Sequence, residues 1–306
     1  MYTDIENQLG VKIESKKFFK AGWAGETVSL KFENSDQKYV VKAYNKDSVQ
    51  NLEREWVGLN FLYQAKFPVP KPVLSNFAHE KAYILMEQID GEDLWTVYQR
   101  SAAADQQELM TKFMRAFFDL HSLDISTLNQ LLQIESTLQF IEKEISDIQN
   151  LAVQNDLQSF IPVISWLHRE KEHIRPEKLS ILHRDYHPWN ALADDQNNVY
   201  VIDLVWCIGD YRFDLAWFCA LMERGGLQDF SNAAFACYQE FHQREIYNYD
   251  YFKVLATLRW LMNVISTVKN PEIQKPGFDD FIHPLIQAGI QTIRELTRVE
   301  ITFEHQ

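Results

Sequence analysis

The sequence is short of several things, and each shortage closes a line of function. Of its 306 residues only three are cysteines, Cys207, Cys219 and Cys237. Their number is odd and no C-x-x-C spacing occurs, so a disulfide framework is not expected and a reducing compartment is. Basic residues are scarce: 30 Lys and Arg stand against 43 Asp and Glu, a formal charge of −13 at pH 7. A nucleic-acid-binding surface needs the opposite excess, whereas a cationic small ligand is compatible with this one. Long uncharged apolar runs are missing, and Met1-Tyr2-Thr3-Asp4-Ile5-Glu6 does not read as a signal peptide. The expectation is a cytoplasmic protein with neither a membrane nor a nucleic-acid partner. No H-E-x-x-H or Cys/His cluster suggests zinc, no G-x-S-x-G a hydrolase, and no G-x-x-x-x-G-K-[ST] a P-loop. No internal repeat or low-complexity stretch is visible.

Material for packed cores is plentiful, with 46% hydrophobic residues including 20 Phe, 13 Tyr and 8 Trp. The length suits two lobes or domains. The most informative stretch is Ile181-Leu182-His183-Arg184-Asp185-Tyr186-His187-Pro188-Trp189-Asn190, followed by Val199-Tyr200-Val201-Ile202-Asp203. It reads as strand, polar loop, strand. H-x-D-x-x-x-x-N followed by an Asp after a hydrophobic strand is the pairing of catalytic and metal loops in kinases. The chemistry asks for these residue types. An Asp can orient an attacking hydroxyl and accept its proton, and an Asn oxygen with a second Asp can hold Mg²⁺ against nucleotide phosphates. The plain alternative is a polar turn between two core strands.

Earlier in the chain, Gly22-Trp23-Ala24-Gly25 lies between Val11–Phe19 and Val28–Glu33, where Val28, Leu30 and Phe32 alternate with polar residues. A hairpin with two glycines lets backbone approach a phosphate closely, although many hairpins carry glycine. Lys38–Tyr44 is a further strand, with Lys42 on the face of Val40 and Tyr44. The next segment is helical, because Leu52, Trp56, Leu59 and Leu62 share one face. It carries Glu53 and Glu55, either of which can pair with Lys42 and fix it on nucleotide phosphates. Phe67-Pro68-Val69-Pro70-Lys71-Pro72 is an extended connection. Ala82–Ile89 is a strand turning out at Asp90-Gly91, an edge strand or, in a two-lobed kinase, the hinge. There the backbone of Glu87 and Ile89 would meet an adenine edge.

The remaining two hundred residues read as mostly helical. Stripes are formed by Leu109, Phe113, Phe117 and Leu120, ending near His121, and by Leu138, Ile141, Ile145 and Ile148. Others are Ile164 with Leu167; Phe252, Leu255, Leu258, Met262 and Ile265; and Ile282, Leu285, Ile286, Ile290 and Ile293. Asp214 opens an apolar helix, where a carboxylate can cap free N–H groups or brace the loop of Asp185. Trp206, Tyr211, Trp217, Tyr247 and Trp260 could line an amine pocket, as could acids such as Glu223 and Glu240. For each of these a structural or solvated role is the simpler reading.

Taken together, His183 to Asn190, Ile202-Asp203 and Asp214-Leu215-Ala216 resemble the signature of the aminoglycoside phosphotransferase and choline kinase-like family. Leu52-Glu53-Arg54-Glu55, Val69-Pro70-Lys71-Pro72 and Leu85-Met86-Glu87 fit the same register. The resemblance implies an α+β, two-lobed, protein-kinase-like fold: a small β-sheet lobe with one helix over 1–88 and a larger, mainly helical lobe over 89–306. It implies Asp185 as the catalytic residue, Asn190 and Asp203 as Mg²⁺ ligands, and Lys42 with Glu55 as the phosphate-holding pair. Gly22, Gly25, Glu87 and Ile89 would contact ATP, with His183 and Asp214 in support. The implied reaction moves the γ-phosphoryl group of ATP to a hydroxyl of a small metabolite or antibiotic. Arg184 departs from the Gly common in small-molecule members and gives the protein-kinase spelling His-Arg-Asp. Asp203-Leu204-Val205 nevertheless lacks the Gly of Asp-Phe-Gly, and no Ala-Pro-Glu follows. Phe213 comes about ten positions after Asp203, too soon for a regulated activation loop. A protein kinase, or a non-catalytic nucleotide-binding pseudokinase, is the alternative.

Overall fold

The computed structural model describes residues 1–19, 25–44, 49–128, 134–269 and 278–303. The chain divides into two compact units, one of residues 1–119 with 188–206, the other of residues 120–187 with 207–306. Gly22 lies outside the described residues.

The first unit is built on a five-stranded sheet: β1 (Ile13–Phe18), β2 (Glu26–Phe32), β3 (Lys38–Tyr44), β4 (Pro72–Asn76) and β5 (Ala82–Glu87). The order is β1-β2-β3-β5-β4, with every neighbouring pair antiparallel. The period-two alternation of β2 sends Val28, Leu30 and Phe32 to one face, where they pack with Val41, Ala43, Tyr83 and Leu85. Burying each such aliphatic side chain stabilises by about 1.5–3 kcal/mol. A short helix α1 (Tyr2–Leu9), with no counterpart in the sequence reading, adds Ile5 to this core. The helix α2 (Val49–Gln64) buries Leu52, Leu59 and Leu62, three of the four residues in its expected stripe. The unit also holds α3 (Leu94–Arg100) and a small antiparallel sheet. In that sheet β6 (Glu92–Asp93), β8 (Ala191–Ala193) and β9 (Val199–Val201) stand in the order β6-β8-β9. A 3₁₀ turn, Pro188–Asn190, precedes β8.

The helix α4 (Ala103–Ser122) buries Leu109, Phe113, Phe117 and Leu120 as its periodicity requires. In the second unit follow α5 (Thr137–Gln154), α6 (Ile161–Glu170), β7 (Ser180–Leu182), β10 (Cys207–Gly209), α7 (Tyr211–Arg224), α8 (Gln228–His242), α9 (Tyr249–Val268) and α10 (Phe278–Thr297). Strands β7 and β10 pair antiparallel. The core gathers the inner faces of α5, α6, α7, α9 and α10. One residue of the expected stripes is misplaced: Leu138 is 43% exposed, while Phe140 and Glu144 of the same helix are buried. The helix turns its Phe140–Ile141–Glu144–Ile145–Ile148 face inward, and Leu138 falls outside that arc. Among the described residues no helix is long and apolar enough to cross a membrane.

Candidate functional site

In the first unit, β3 alternation sends Val41 and Ala43 into the core and Lys42 to the opposite face. There Lys42 Nζ lies 2.5 Å from Glu55 Oε1 and also hydrogen-bonds Asp203 Oδ1. Of the two glutamates that helix spacing left open, Glu55 makes the pair, while Glu53 is exposed. The Tyr44 hydroxyl donates to Glu55 Oε2 at 3.5 Å. Burial works against a charge on Lys42, yet the two carboxylates outweigh it and hold the ammonium above its ordinary range. Burial, helped by Glu55, pushes the Tyr44 phenol up to about 12.

Asp203 follows β9 with φ 57°, a left-handed conformation uncommon for a residue with a Cβ. Its side chain is 48% exposed. The peptide just before it is tied to Asn190, since Ile202 N–H donates to the Asn190 carbonyl at 3.0 Å. The loops of Asn190 and Asp203 therefore keep a fixed register. Their donors are hard oxygens, the kind Mg²⁺ takes. Among the described residues no group of three or more His, Cys, Asp or Glu could form an all-protein metal cage. A pair of oxygen ligands suits a cation that completes its shell with water and phosphate.

The segment after Asp203 is anchored to α2. Trp206 is 2% exposed, and its indole Nε1–H donates to the Arg54 carbonyl at 2.6 Å, one residue before Glu55. The ring has room because residue 58 is glycine: a Cβ there would fall 2.2 Å from Trp206 Nε1. Sequence reading missed this contact and placed Trp206 among candidates for an amine pocket. A lone Gly in a helical stripe opposite an aromatic residue was the available signal.

In the second unit the catalytic-motif loop leaves β7. Asp214 is fully buried in the first turns of α7. Its Oδ2 accepts the His183 N–H at 2.6 Å and its Oδ1 the Arg184 N–H at 2.8 Å. His121 Nε2 lies 3.2 Å from Oδ2, and the Tyr238 hydroxyl lies 2.8 Å from His121 Nδ1. A carboxylate only accepts, so the Nε2 proton of His121 points to Asp214. Burial raises the Asp214 pKa, but the hydrogen bond and charge of His121, with the loop N–H groups, lower it further, and the net direction is down. Capping of α7 falls to Asp210, which accepts the Arg212 N–H at 3.0 Å. Asp210 is buried and also binds the buried Arg212 guanidinium, at 2.8 and 2.7 Å.

The loop itself is bent at Arg184, which sits at φ 74°. This explains why glycine suits the position and what holds arginine there. Arg184 forks onto Glu144, with Nη1–Oε1 at 2.5 Å and Nη2–Oε2 at 3.3 Å, and lies over the Phe213 ring at 4.9 Å. His183, fully buried, accepts the Asp185 N–H on Nδ1 at 3.3 Å and packs edge-on against Tyr186. The Asp185 side chain is 44% exposed, with His187 Nε2 3.5 Å from its Oδ2.

Of the other expected contacts, Gly25 stands just before β2, where a Cβ would come 2.6 Å from the Ala43 carbonyl. That close approach to β3 is reason enough for glycine. Glu87 ends β5, its N–H donating to the Lys71 carbonyl at 2.9 Å and its carboxylate accepting from Lys71 Nζ at 2.7 Å. Ile89 follows beyond the strand. The aromatic candidates are mostly interior: Trp206, Tyr211, Trp217 and Trp260 are each less than one-tenth exposed. Tyr247 is exposed beneath Arg175, and Glu223 pairs with Lys253.

The profile of the APH phosphotransferase enzyme family matches residues 17–248. Among solved structures, the choline kinase LicA from Streptococcus pneumoniae shares 15% identity at a TM-score of 0.68, covering 96% of this chain and 98% of that one. A putative fructosamine-3-kinase from Haemophilus somnus shares 16% at 0.68, covering 96% of each. The ADP-bound aminoglycoside phosphotransferase APH(2'')-Ib shares 16% at 0.66, covering 97% and 98%. No protein of curated function is similar enough in sequence to count as a match. These likenesses establish the two-lobed α+β kinase-like fold. With the family profile spanning most of its length, the chain belongs to the phosphotransferase enzyme family and is an ATP-dependent small-molecule kinase acting on hydroxyl groups.

Proposed function

We propose that the protein transfers the γ-phosphoryl group of Mg²⁺-complexed ATP to a hydroxyl of a small, cationic metabolite or antibiotic. The observation that carries this reading is Lys42, a strand lysine whose side chain is 12% exposed and which is bound at once by Glu55 of α2 and by Asp203 of the loop after β9. A lysine so held is a fixed positive point for phosphate oxygens. Lobes divided near residue 88 would place the adenine against the backbone of Glu87 and Ile89, with Gly25 over the phosphates.

Mg²⁺, when bound, would neutralise charge on the β- and γ-phosphates, with Asn190 and Asp203 as its protein ligands. The chain's own residues do the rest. Glu55 orients Lys42, so that the ammonium meets the phosphates without searching rotamers. Asp185 orients the acceptor hydroxyl and accepts its proton as the oxygen attacks. Asp214 holds the N–H groups of His183 and Arg184, and so fixes the backbone that presents Asp185. Catalysis of this kind is mainly positioning and charge stabilisation; proton acceptance contributes about 10²–10⁴ in rate.

The net charge of −13 favours a cationic acceptor. Similar structures have been solved with streptomycin and with gentamicin, and another is a choline kinase. The test is ADP release with Mg²⁺ and ATP across aminoglycosides, macrolides, choline, homoserine and sugars. Acceptor-dependent turnover with at least one cationic alcohol is expected. Nucleotide binding without turnover on any acceptor would contradict the proposal.

A further inference from the structure

The second unit contains an arginine that the kinase reading does not use. Arg224 ends α7 and is only 8% exposed, yet Nε, Nη1 and Nη2 have no hydrogen-bond partner among the described residues. Its guanidinium lies over the ring of Trp260 of α9, 4.0 Å from the centroid. That stacking engages the face of the cation and leaves its in-plane N–H fork unanswered. Burial pulls its pKa down to about 9, with Glu223 pulling the other way, so the group remains charged at neutral pH. Buried charges in folded proteins are ordinarily paired, and an orphan of this kind asks for a partner.

Beside it is a cavity of about 300 Å³ walled by α7, α8, α9 and α10. Besides Arg224, its polar lining is Glu223, Gln228, Lys253, Thr292 and Glu295. Lys253 already has a counter-ion, Glu223 Oε2 at 2.6 Å, and the Thr292 hydroxyl is given to the Ala288 carbonyl at 3.0 Å. Among the described residues Arg224 is therefore the cation in this wall without an acceptor. The carboxylates of Glu223 and Glu295 would repel a polyanion such as a triphosphate and leave room for one small anionic group.

We propose that this cavity is a second ligand site, separate from the kinase chemistry, that binds a small oxyanion, a carboxylate or phosphate group, through the Arg224 fork. Two oxygens of a carboxylate or of a phosphate match that fork in two parallel hydrogen bonds. Because the guanidinium nitrogens are covered, capture turns the side chain from Trp260 toward the cavity. The volume admits a small metabolite rather than a bare ion alone.

The test uses the full chain and two probes, sodium phosphate and sodium malonate, titrated at constant ionic strength against chloride while the melting temperature is followed. A Lys42→Met background removes anion binding at the nucleotide cluster. The expected result is a saturable rise of about 2–4 °C with at least one probe. It is present in wild type and Lys42→Met, reduced in Arg224→Lys, and absent in Arg224→Met. A response to phosphate alone identifies a phosphate group as the ligand, and one to malonate alone a carboxylate. Arg224→Met keeps the stem over Trp260, so in chloride it should melt at or above the wild-type temperature. A clearly lower melting point for that variant would make Arg224 a structural stacking partner and overturn the proposal. An equal rise in Arg224→Met, or no saturable rise with either probe, would overturn it too.

Discussion

Around Lys42, charged side chains from three separate elements meet one another; around Asp214, one buried carboxylate meets the backbone. The first cluster is held by Coulomb attraction among Lys42, Glu55 and Asp203, with Asp203 half exposed. Such pairs are adjustable, and the ammonium can exchange a carboxylate for a phosphate. The second is held by hydrogen bonds to two successive N–H groups, which fix a chain direction rather than a charge. The difference matches the tasks proposed for the two. Phosphates arrive and leave with each turnover, whereas the loop carrying Asp185 has to stay where it is.

The strongest way to break the contrast is at Asp214. Asp214→Ala strips two loop N–H groups and His121 of their buried acceptor, and a loss of about 3–5 kcal/mol is expected. Denaturant unfolding measures it; a loss below about 1 kcal/mol would show that the loop is held by other means. The same residue sets a pH dependence. Its folded pKa is depressed, so its contribution is complete above the unfolded carboxylate value of 3.8 and fades as pH falls through the lower folded value. Wild type should therefore lose stability more steeply below about pH 4 than Asp214→Asn does, which melting curves across that range would reveal.

Next in size is the joint between Trp206 and Gly58. Gly58→Ala places a Cβ on the indole and forces α2 or the ring to move, at about 1–3 kcal/mol. Trp206→Phe keeps an aromatic ring but removes the bond to Arg54, at about 0.5–1.5 kcal/mol. Both should raise KM for ATP, because α2 carries Glu55. Unaltered ATP kinetics in Gly58→Ala would separate this joint from the Lys42 cluster.

The smallest effect sharpens the comparison at Arg184. Replacement by Gly relieves its left-handed backbone by about 1 kcal/mol but leaves the buried Glu144 without its fork. A net loss of stability is expected for Arg184→Gly. Adding Glu144→Gln, which removes a buried carboxylate then left with only Arg259, 3.8 Å from its Oε2, should restore part of it. If the double variant is no better than the single one, the ion pair is not what holds arginine there.

How much of this was legible in the sequence depends on what kind of contact is involved. Strand alternation exposed Lys42, the spacing to α2 narrowed its partner to two glutamates, and the family resemblance pointed to Glu55, which the coordinates pair with it. Periodicity found the faces of α4, α9 and α10 because those faces are continuous. It misjudged Leu138, since a stripe drawn through apolar residues alone ignores that Glu144 can be buried against Arg184. The cap of α7 went to Asp210 because the helix begins at Tyr211, which puts Asp214 already inside its first turn. The left-handed backbones of Arg184 and Asp203, and the seat of Trp206 on Gly58, leave no periodic trace. They depend on which segments meet in space.

The central claim is a division of labour between the residue that acts on the acceptor and those that hold the nucleotide. It is tested most directly by measuring Mg²⁺-dependent ATP affinity and single-turnover rate side by side in Asp185→Asn and Asp203→Ala. The account expects Asp185→Asn to bind ATP as wild type does while turning over about 10²–10⁴-fold more slowly, and Asp203→Ala to lose the Mg²⁺-dependent part of its affinity. Undiminished turnover in Asp185→Asn, or normal Mg²⁺-dependent binding in Asp203→Ala, would contradict it.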